Sequence, residues 1–348
     1  RFKCDWSSDV CSSDLIEQPV LYKLVSEVFQ DKVLKDKYYT DFGIRSLQFR
    51  SDSGFYLNGK NVKVKGVCMH HDLGCLGTAL NTRALTRQLE ILKSMGCNGI
   101  RTSHNPPSPD LLDLCDRMGF LVMDEAFDVW KLEKMKYDYH MYFDEWHERD
   151  LADMVVRDRN HPSVFMWSIG NEIPEKNHTK YGGAAIAKEL DGIIKKYDRS
   201  RFTTSAVAGV WGADTTFMTD KVDVIGINYT VERYPEEKLK HPNGFFIASE
   251  TCSSLSDRGV YHFPADSAMR PTKDLHCSSF DNRGTYYDRP ATMITQTTWR
   301  AVKETPYVAG MFVWTGFDYL GEPIYPYPCI SSSFGIVDLC GFPKDVFY

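Results

Sequence analysis

The stretch Ser163-Val-Phe-Met-Trp-Ser-Ile-Gly-Asn-Glu172 is an apolar run that ends in an asparagine and a glutamate. A run of this length and composition predicts a buried β-strand. A second run, Phe245-Phe-Ile-Ala-Ser-Glu250, has the same form and also ends in a glutamate. A single glutamate after a buried strand more often belongs to an ion pair than to a catalytic site, so the two runs must be interpreted within their fold.

Eight apolar runs of strand length lie between residues 64 and 314, and amphipathic stretches of helix length separate most of them. The predicted strands are 64–70, 99–103, 120–124, 164–169, 201–206, 222–228, 245–249 and 310–314. The predicted helices include 82–95, 109–118, 142–160, 182–197 and 292–304. Eight such strands over roughly 250 residues predict a (β/α)8 TIM barrel, an α/β fold whose active site lies at the C-terminal ends of the strands.

Polar or aromatic residues lie at the ends of seven of these strands, and in such a barrel they converge on one pocket. They are His70, His71 and Asp72; Arg101 and His104; Asp124 and Glu125; Asn171 and Glu172; Asn228 and Tyr229; Glu250; and Trp314 and Asp318. Glu172 and Glu250 follow the fourth and seventh strands. Two carboxyls in one pocket predict glycoside hydrolysis, because one protonates the leaving oxygen while the other attacks the sugar or activates water.

Residues 16–63 precede the barrel and contain alternating, strand-like segments. Their Asn58-Gly59 pair is a signal for a tight hairpin turn. This small β region has too few strands to form a sandwich by itself, so we expect it to be the end of a truncated domain. Residues 1–15 fit neither a strand nor a helix period and resemble a translated sequencing-library adapter, so they are set aside as artefactual.

The composition predicts a large apolar core, since 43% of the residues are hydrophobic and 20 are Phe. A net charge of −6 without a basic block argues against a nucleic-acid partner. No apolar run approaches the roughly 18 residues of a membrane span, so we expect no membrane partner. Setting aside Cys4 and Cys11 leaves eight of the ten cysteines, without a Cys-x-x-Cys spacing, so we expect core thiols rather than a zinc site or disulfides.

Four motifs together resemble glycoside hydrolase family 2. They are Gly66-Val-Cys-Met-His-His71, Ile100-Arg-Thr-Ser-His-Asn-Pro106, Leu114-Cys-Asp-Arg-Met-Gly-Phe-Leu-Val-Met-Asp-Glu-Ala126, and His161-Pro-Ser-Val-Phe-Met-Trp-Ser-Ile-Gly-Asn-Glu172. The resemblance implies that Glu172 is the acid/base and Glu250 the nucleophile. It also implies that residues 16–63 end an immunoglobulin-like β-sandwich, and that residues 64–348 form a catalytic barrel cut at its C-terminus, so that the chain is a fragment.

Within that family, residues 311–323 and 249–254 look most like those of bacterial β-galactosidase-type members. No Asn-x-Lys motif of the kind that glucuronidases carry lies near the C-terminus. β-Glucuronidase and β-mannosidase activities stay open as alternatives. Some β-galactosidases hold magnesium through a Glu-x-His pair after the third strand, but residues 124–131 lack that pair, so we predict neither a metal site nor a cofactor.

The expected mechanism is a double displacement with retention, in which Glu250 attacks the sugar and Glu172 serves first as acid and then as base. The two carboxyls should lie about 5 to 5.5 Å apart. Six further residues are predicted to bind the substrate. Tyr229 and Arg101 should hydrogen-bond the nucleophile, Asn171 should donate to the sugar 2-hydroxyl, Trp314 should face the sugar ring, and His70 and His104 should bind ring hydroxyls.

Other interpretations stay open for several of these residues. Arg101 could be an internal ion-pair partner, and Trp314 could be part of the core. A metal cluster at residues 70–72 is disfavoured because adjacent side chains on a strand point to opposite faces. Asp124 and Glu125 fit structural acids better than catalysts.

Different classes of protein are also open. A metal-dependent aldolase or enolase barrel does not explain the placement of the two glutamates. The chain could also be an inactive carbohydrate-binding remnant, because missing domains could supply part of the pocket. A carbohydrate substrate is the expected partner. A homo-oligomer is compatible with the sequence, and so are the bacterial periplasm and cytoplasm.

Overall fold

The computed structural model describes residues 16–177, 182–208, 221–261, 284–285, 295–321 and 330–348. Its first strands form two small antiparallel sheets. The first contains β1 (Tyr22–Gln30) and β2 (Val33–Phe42), and the second contains β3 (Leu47–Arg50), β4 (Gly54–Leu57) and β5 (Lys60–Val62). Asn58 and Gly59 join β4 to β5 with φ angles of 50° and 78°, which confirms the predicted hairpin turn.

A closed barrel of eight parallel strands follows, in which each strand pairs with the next along the chain and the last pairs with the first. Its strands are β6 (Val64–Met69), β7 (Gly99–Thr102), β8 (Leu121–Glu125), β9 (Val164–Asn171), β10 (Phe202–Ala208), β11 (Val224–Asn228), β12 (Phe246–Cys252) and β15 (Val308–Trp314). Short pairs join β13 (Ser254–Leu255) to β14 (Gly284–Thr285) and β16 (Tyr319–Leu320) to β17 (Ser331–Ser332). The predicted TIM barrel is confirmed, and each predicted strand overlaps an observed one.

Helices connect the barrel strands. They are α1 (Thr82–Ser94), α2 (Pro109–Met118), α3 (His140–Asp158), α4 (Gly183–Tyr197), α5 (Tyr234–Lys240) and α6 (Thr295–Glu304). Short 3-10 helices span Gly74–Leu76, Pro174–Asn177, Val231–Arg233 and Asp345–Phe347. The sequence analysis did not include α5, because seven residues are too few to show a helical period. Residues 292–294 of the last predicted helix lie outside the described residues.

Local sequence fixes the bounds of these helices, as α2 shows. The Ser108 side chain accepts a hydrogen bond from the Leu111 N–H, and Pro109 occupies the first helical turn. The helix ends at Gly119, which has a left-handed φ of 75°. These caps define where α2 ends and so where β8 begins. The start of β8 in turn determines which of its residues lie at the C-terminal end of the barrel.

Apolar side chains fill the N-terminal half of the barrel interior. The Phe312 ring lies across this interior, where Gly66 leaves room for it: a Cβ at that position would lie 2.3 Å from the ring. Phe55 of β4 packs against Phe165 with ring centroids 5.3 Å apart, so the sheet of β3 to β5 closes this end of the barrel. Along β8, Met123 belongs to this apolar filling, whereas Glu125 at the C-terminal end is a buried polar residue.

A larger apolar cluster lies between the barrel and its helices. Its fully buried members include Leu89, Leu112, Leu151, Leu190 and Val302. The assignment of residues 16–63 to the end of an immunoglobulin-like domain stays a prediction. Among the helices of the described ranges, none combines the length and the apolar character needed to cross a bilayer.

Candidate active site

Five barrel strands bring polar side chains together at the C-terminal end of the barrel. These side chains are Arg101 of β7, Glu125 of β8, Asn171 of β9, Asn228 of β11 and Glu250 of β12, and all five are buried. The alternation of side chains along each strand turns them toward the barrel axis. Since parallel strands all end at the same side of a barrel, distant parts of the sequence meet at one site.

Arg101 is the centre of this network and is fully buried. Its Nε and Nη2 donate to the two carboxylate oxygens of Glu125 at 2.9 to 3.0 Å. Its Nη1 donates to Glu250 Oε2 at 2.8 Å, and its Nη2 also donates to Asn171 Oδ1 at 2.8 Å. A planar guanidinium suits such a fork of acceptors. Arg101 therefore forms ion pairs with both Glu125 and Glu250 from a fully buried position.

Glu125 balances the charge of Arg101. Burial alone would raise its pKa, but Arg101 and the His104 ring oppose this effect, and the pKa of Glu125 falls to about 2. Its Oε1 lies 2.6 Å from His104 Nδ1, and its Oε2 accepts a hydrogen bond of 2.6 Å from the Ser168 hydroxyl. Glu125 is thus ionised at neutral pH.

Glu250 has only 5% of its surface exposed and accepts hydrogen bonds from two sides. Arg101 donates to one oxygen, and the Tyr229 hydroxyl donates to the other. Burial raises the pKa of Glu250, Arg101 lowers it, and the nearby charge of Glu172 raises it again. The net direction is upward, so the two donors limit the effect of burial without cancelling it.

Glu172 lies one residue beyond the end of β9, where its backbone has a left-handed φ of 42°. Its amide donates to the Ala206 carbonyl at 2.8 Å, and Asn228 Nδ2 donates to its Oε1 at 3.0 Å. A non-glycine residue in this conformation costs about 1 to 3 kcal/mol. Tyr229 has the same kind of backbone, with φ at 58°, so two site residues sit in unfavourable conformations that the surrounding barrel enforces.

Asn171 has polar neighbours at both ends of its side-chain amide. Its Oδ1 accepts from Arg101 and, at 3.2 Å, from Asn228 Nδ2. Its Nδ2 donates to Asp128 Oδ1 at 3.0 Å and lies 3.3 Å from His104 Nε2. Because both donors to Oδ1 are N–H groups, the network fixes which end of the amide faces which way.

Aromatic rings form one wall of the site. The rings of His104 and Trp314 stack with centroids 5.2 Å apart and planes 3° apart. His70 lies 5.3 Å from Trp314 and 4.3 Å from Tyr319. Burial lowers the pKa of His70 to about 3, so its ring is neutral near pH 7. Its Nε2 is buried and has no hydrogen-bond partner among the residues that the structure describes.

All eight residues proposed from the sequence lie in this one region. Hydrogen bonds or ring contacts link Glu172, Glu250, Asn171, Tyr229, Arg101, His70, His104 and Trp314, directly or through Asn228. The sequence assigned no catalytic or binding role to Asn228, although this residue ends the sixth strand. Asp128 was missed altogether because it lies three residues past the end of β8.

Asp318, past the end of β15, and Asp124, within β8, lie outside this network. Asp318 pairs with the buried Lys344 at 2.7 Å, and burial raises its pKa to about 6. Asp124 is also buried, and burial together with the neighbouring Asp158 raises its pKa well above the usual value. Neither of these two acids therefore belongs to the candidate active site.

The residues after β8 do not fit a magnesium ion. The stretch 126–131 offers one carboxylate, Asp128, which is bonded to Asn171 and to Lys134 Nζ. Hard divalent cations prefer several oxygen ligands. In the described part of the chain, side chains of metal-ligand type cluster at Asp113, Asp116 and His161. His161 precedes β9, so this cluster lies toward the other end of the barrel.

A TIM barrel with glutamates at the ends of its fourth and seventh strands has the groups that glycoside hydrolysis requires. Residues 49–253 match the family model described as glycosyl hydrolases family 2, TIM barrel domain. The chain belongs to this family of glycoside hydrolases, and the resemblance seen in its motifs is confirmed.

Several relatives agree with the assignment. A β-galactosidase of Bacteroides ovatus is 44% identical, over 96% of this chain and 43% of that protein. A β-glucuronidase of Bacteroides fragilis is 28% identical, over 87% of this chain and 43% of that protein. The crystal structure of a β-glycosidase from Bacteroides vulgatus is 33% identical with a TM-score of 0.83, over 97% of this chain and 44% of that chain. The chain therefore spans less than half the length of these relatives.

Proposed function

We propose that the protein is a retaining exo-β-glycosidase that hydrolyses terminal β-D-galactosides. The observation that carries this proposal is the setting of Glu250, a buried carboxylate bonded by Arg101 and Tyr229 at the end of the seventh barrel strand. Such a carboxylate is held in one orientation and has its charge balanced, as a nucleophile requires. Asn228 links Glu172 to the same network, which supports the pairing of the two glutamates.

The reaction proceeds in two steps. In the first, a Glu250 oxygen attacks the anomeric carbon while Glu172 gives its proton to the glycosidic oxygen, so that the aglycone leaves as an alcohol. In the second, Glu172 removes a proton from water, the water oxygen bonds to the anomeric carbon, and Glu250 is released. Each step inverts the anomeric carbon, so the product retains the β configuration.

The surrounding residues have distinct parts in this reaction. Arg101 and Tyr229 balance the charge of Glu250 before the attack and release part of their hydrogen bonding as the new bond forms. His70 is neutral near pH 7, and its ring supports the wall of the site through contacts with Trp314 and Tyr319. The Trp314 ring, stacked on His104, offers an apolar surface to the C–H face of the sugar.

The choice of sugar rests on the relatives. A galactoside is favoured because the β-galactosidase of Bacteroides ovatus matches almost the whole chain at 44% identity. The β-glucuronidase of Bacteroides fragilis keeps a glucuronide as the second candidate. Both candidates use the same two glutamates and differ only in which groups of the sugar are recognised.

Hydrolysis of aryl β-glycosides tests the proposal. The wild type is assayed on the galactoside, glucuronide, mannoside and glucoside, next to Glu250→Gln and Glu172→Gln. We expect turnover of the galactoside above the others, and a loss of roughly 10⁴-fold or more in kcat for Glu250→Gln. Asp144→Asn is the matched control, since this carboxylate is 79% exposed and pairs with Lys131 across the surface.

The outcomes separate the alternatives. Turnover of another sugar, lost in Glu250→Gln, would keep the mechanism and change the specificity. Undiminished activity in Glu250→Gln or Glu172→Gln would reject the assigned roles. Binding of sugars without turnover of any glycoside would favour a carbohydrate-binding remnant.

A further inference from the structure

The loop after β8 carries an ion pair that holds Asn171 from two directions. Asp128 Oδ1 and Lys134 Nζ lie 2.8 Å apart. Asp128 accepts from the side-chain amide of Asn171 at 3.0 Å, and Lys134 donates to the main-chain carbonyl of Asn171 at 2.9 Å. One ion pair therefore bonds both the side chain and the backbone of a single residue, the residue that precedes Glu172.

The bonds to Asp128 complete the orientation of the Asn171 amide. Arg101 and Asn228 donate to its oxygen, so its nitrogen must point away from them, toward Asp128 and His104. Without the acceptor on Asp128, one N–H of this amide would lose its fixed partner. The amide could then rotate, and its N–H groups would no longer be held in one direction toward a substrate.

The charge of Asp128 strengthens this bond. Burial alone would raise the pKa of Asp128, but His104 and Lys134 outweigh it, and the pKa lies below the usual value. The carboxylate is therefore ionised at neutral pH, and hydrogen bonds to ionised acceptors are about twice as strong as neutral ones. Asp128 and His104 both line a cavity of about 440 Å³.

The pair contributes little to the stability of the fold. The side chains of Asp128 and Lys134 are 44% and 25% exposed, and ion pairs with this much exposure are weak contributors to folding. Their contacts converge on one residue of the site instead.

We propose that Asp128 and Lys134 are positioning residues that act through Asn171. With one N–H of its amide held by Asp128, the other N–H, which faces His104 at the longer distance of 3.3 Å, is aimed at the 2-hydroxyl of the bound sugar. This inference rests on the proposed glycosidase function. It predicts that the effect of either residue depends on the presence of that hydroxyl. Neither residue is placed at the reacting atoms. Glu250 and Glu172 should therefore react as in the wild type when the 2-hydroxyl is absent from the substrate.

The test compares a substrate with its 2-deoxy analogue. Kinetics are measured on the aryl β-glycoside that the wild type hydrolyses fastest and on the matching 2-deoxy glycoside, after subtraction of uncatalysed hydrolysis. Asp128→Asn and Lys134→Met should each lower kcat/KM for the hydroxylated substrate roughly tenfold, mainly through kcat. With the 2-deoxy substrate they should match the wild type within about twofold, because the interaction they support is absent.

Lys131→Met is the matched control, since Lys131 lies on the same loop and pairs with the exposed Asp144 at 2.7 Å without contacting Asn171. It should leave both substrates unchanged. Asp128→Asn preserves the shape of the side chain, so it stays informative if Lys134→Met does not fold. The melting temperature of each variant shows that it is folded.

Two results would overturn this inference and leave the proposed function intact. One is an equal loss of kcat/KM on both substrates in the Asp128 and Lys134 variants, and the other is no loss on either substrate. Calorimetric binding of the free sugar and its 2-deoxy form provides a readout without turnover, with the same dependence expected. A wild type that neither hydrolyses nor binds either sugar would overturn the proposed function and this inference together.

Discussion

A buried arginine from a neighbouring segment lies beside each end of strand β9, and the two arginines donate hydrogen bonds to different kinds of acceptor. At the N-terminal end, Arg201 donates to the main-chain oxygens of Val164 at 2.6 Å and His161 at 2.8 Å, and to Asp198 at 2.7 Å. At the C-terminal end, Arg101 divides most of its donors between side chains of the site. A buried arginine therefore does not by itself mark an active site; the identity of its partners does.

The N-terminal end of β9 is a structural junction. Arg45 also donates to the Val164 carbonyl, at 2.5 Å, and burial lowers the pKa of Arg45 to about 9. The donors there satisfy main-chain acceptors that would otherwise be buried without partners. At the other end of the strand, Arg101 serves Glu250, whose carboxylate has a part in the proposed reaction. Substitutions at the two ends should thus separate stability from activity.

The largest effect is expected for Arg101→Met. It leaves Glu125 and Glu250 without their common cation, so we expect kcat/KM to fall roughly 10²-fold or more and the free energy of unfolding to fall by about 3 to 5 kcal/mol. Enzyme kinetics and urea denaturation measure the two effects. Arg101→Lys restores one charge without the planar fork and should be intermediate. Full activity in Arg101→Met would show that Arg101, like Arg201, serves only the stability of the fold.

Arg201→Met should destabilise the protein without changing the reaction. It removes the cation beside Asp198 and two donors to main-chain oxygens, so we expect a loss of about 3 to 5 kcal/mol in the free energy of unfolding. The kcat of the folded enzyme should equal that of the wild type. Arg199→Met, at an exposed neighbouring position, should stay within about 0.5 kcal/mol. A lowered kcat in folded Arg201→Met would show that both ends of β9 serve catalysis.

Tyr229→Phe should have the smallest effect and a recognisable pH signature. The nucleophile must be ionised, so kcat/KM falls as pH drops through the pKa of Glu250, which burial has raised. The Tyr229 hydroxyl lowers that pKa, and its removal should move the acidic limb of the kcat/KM profile to higher pH. At the optimum we expect a roughly tenfold loss in kcat/KM. An acidic limb that stays in place or moves to lower pH would contradict the role of Tyr229.

Most of the fold was predictable from sequence because it depends on local patterns. The eight apolar runs and the helices between them identify the barrel, and the rule that parallel strands end at one side brings Glu172 and Glu250 together. Strand ends were less certain: β12 continues through Glu250 to Cys252, past its predicted end at residue 249. The helix α5 is too short to give a periodic signal.

The finer parts of the site depend on contacts that no local pattern encodes. Arg101 and Glu250 are 149 residues apart in the chain, and only the register of the barrel shows that their side chains meet. Asp128 was missed because its role comes from the path of the loop after β8. Its bond to Asn171, 43 residues away, is visible only in three dimensions.

Trapping of the covalent intermediate tests the central claim most directly. The wild type is incubated with a 2-deoxy-2-fluoro β-galactoside that carries a good leaving group, and its peptides are analysed by mass spectrometry. We predict one fluorogalactosyl adduct on the side chain of Glu250. An adduct on another residue, or steady turnover of β-galactosides with inversion of configuration and no adduct, would contradict the double displacement through Glu250.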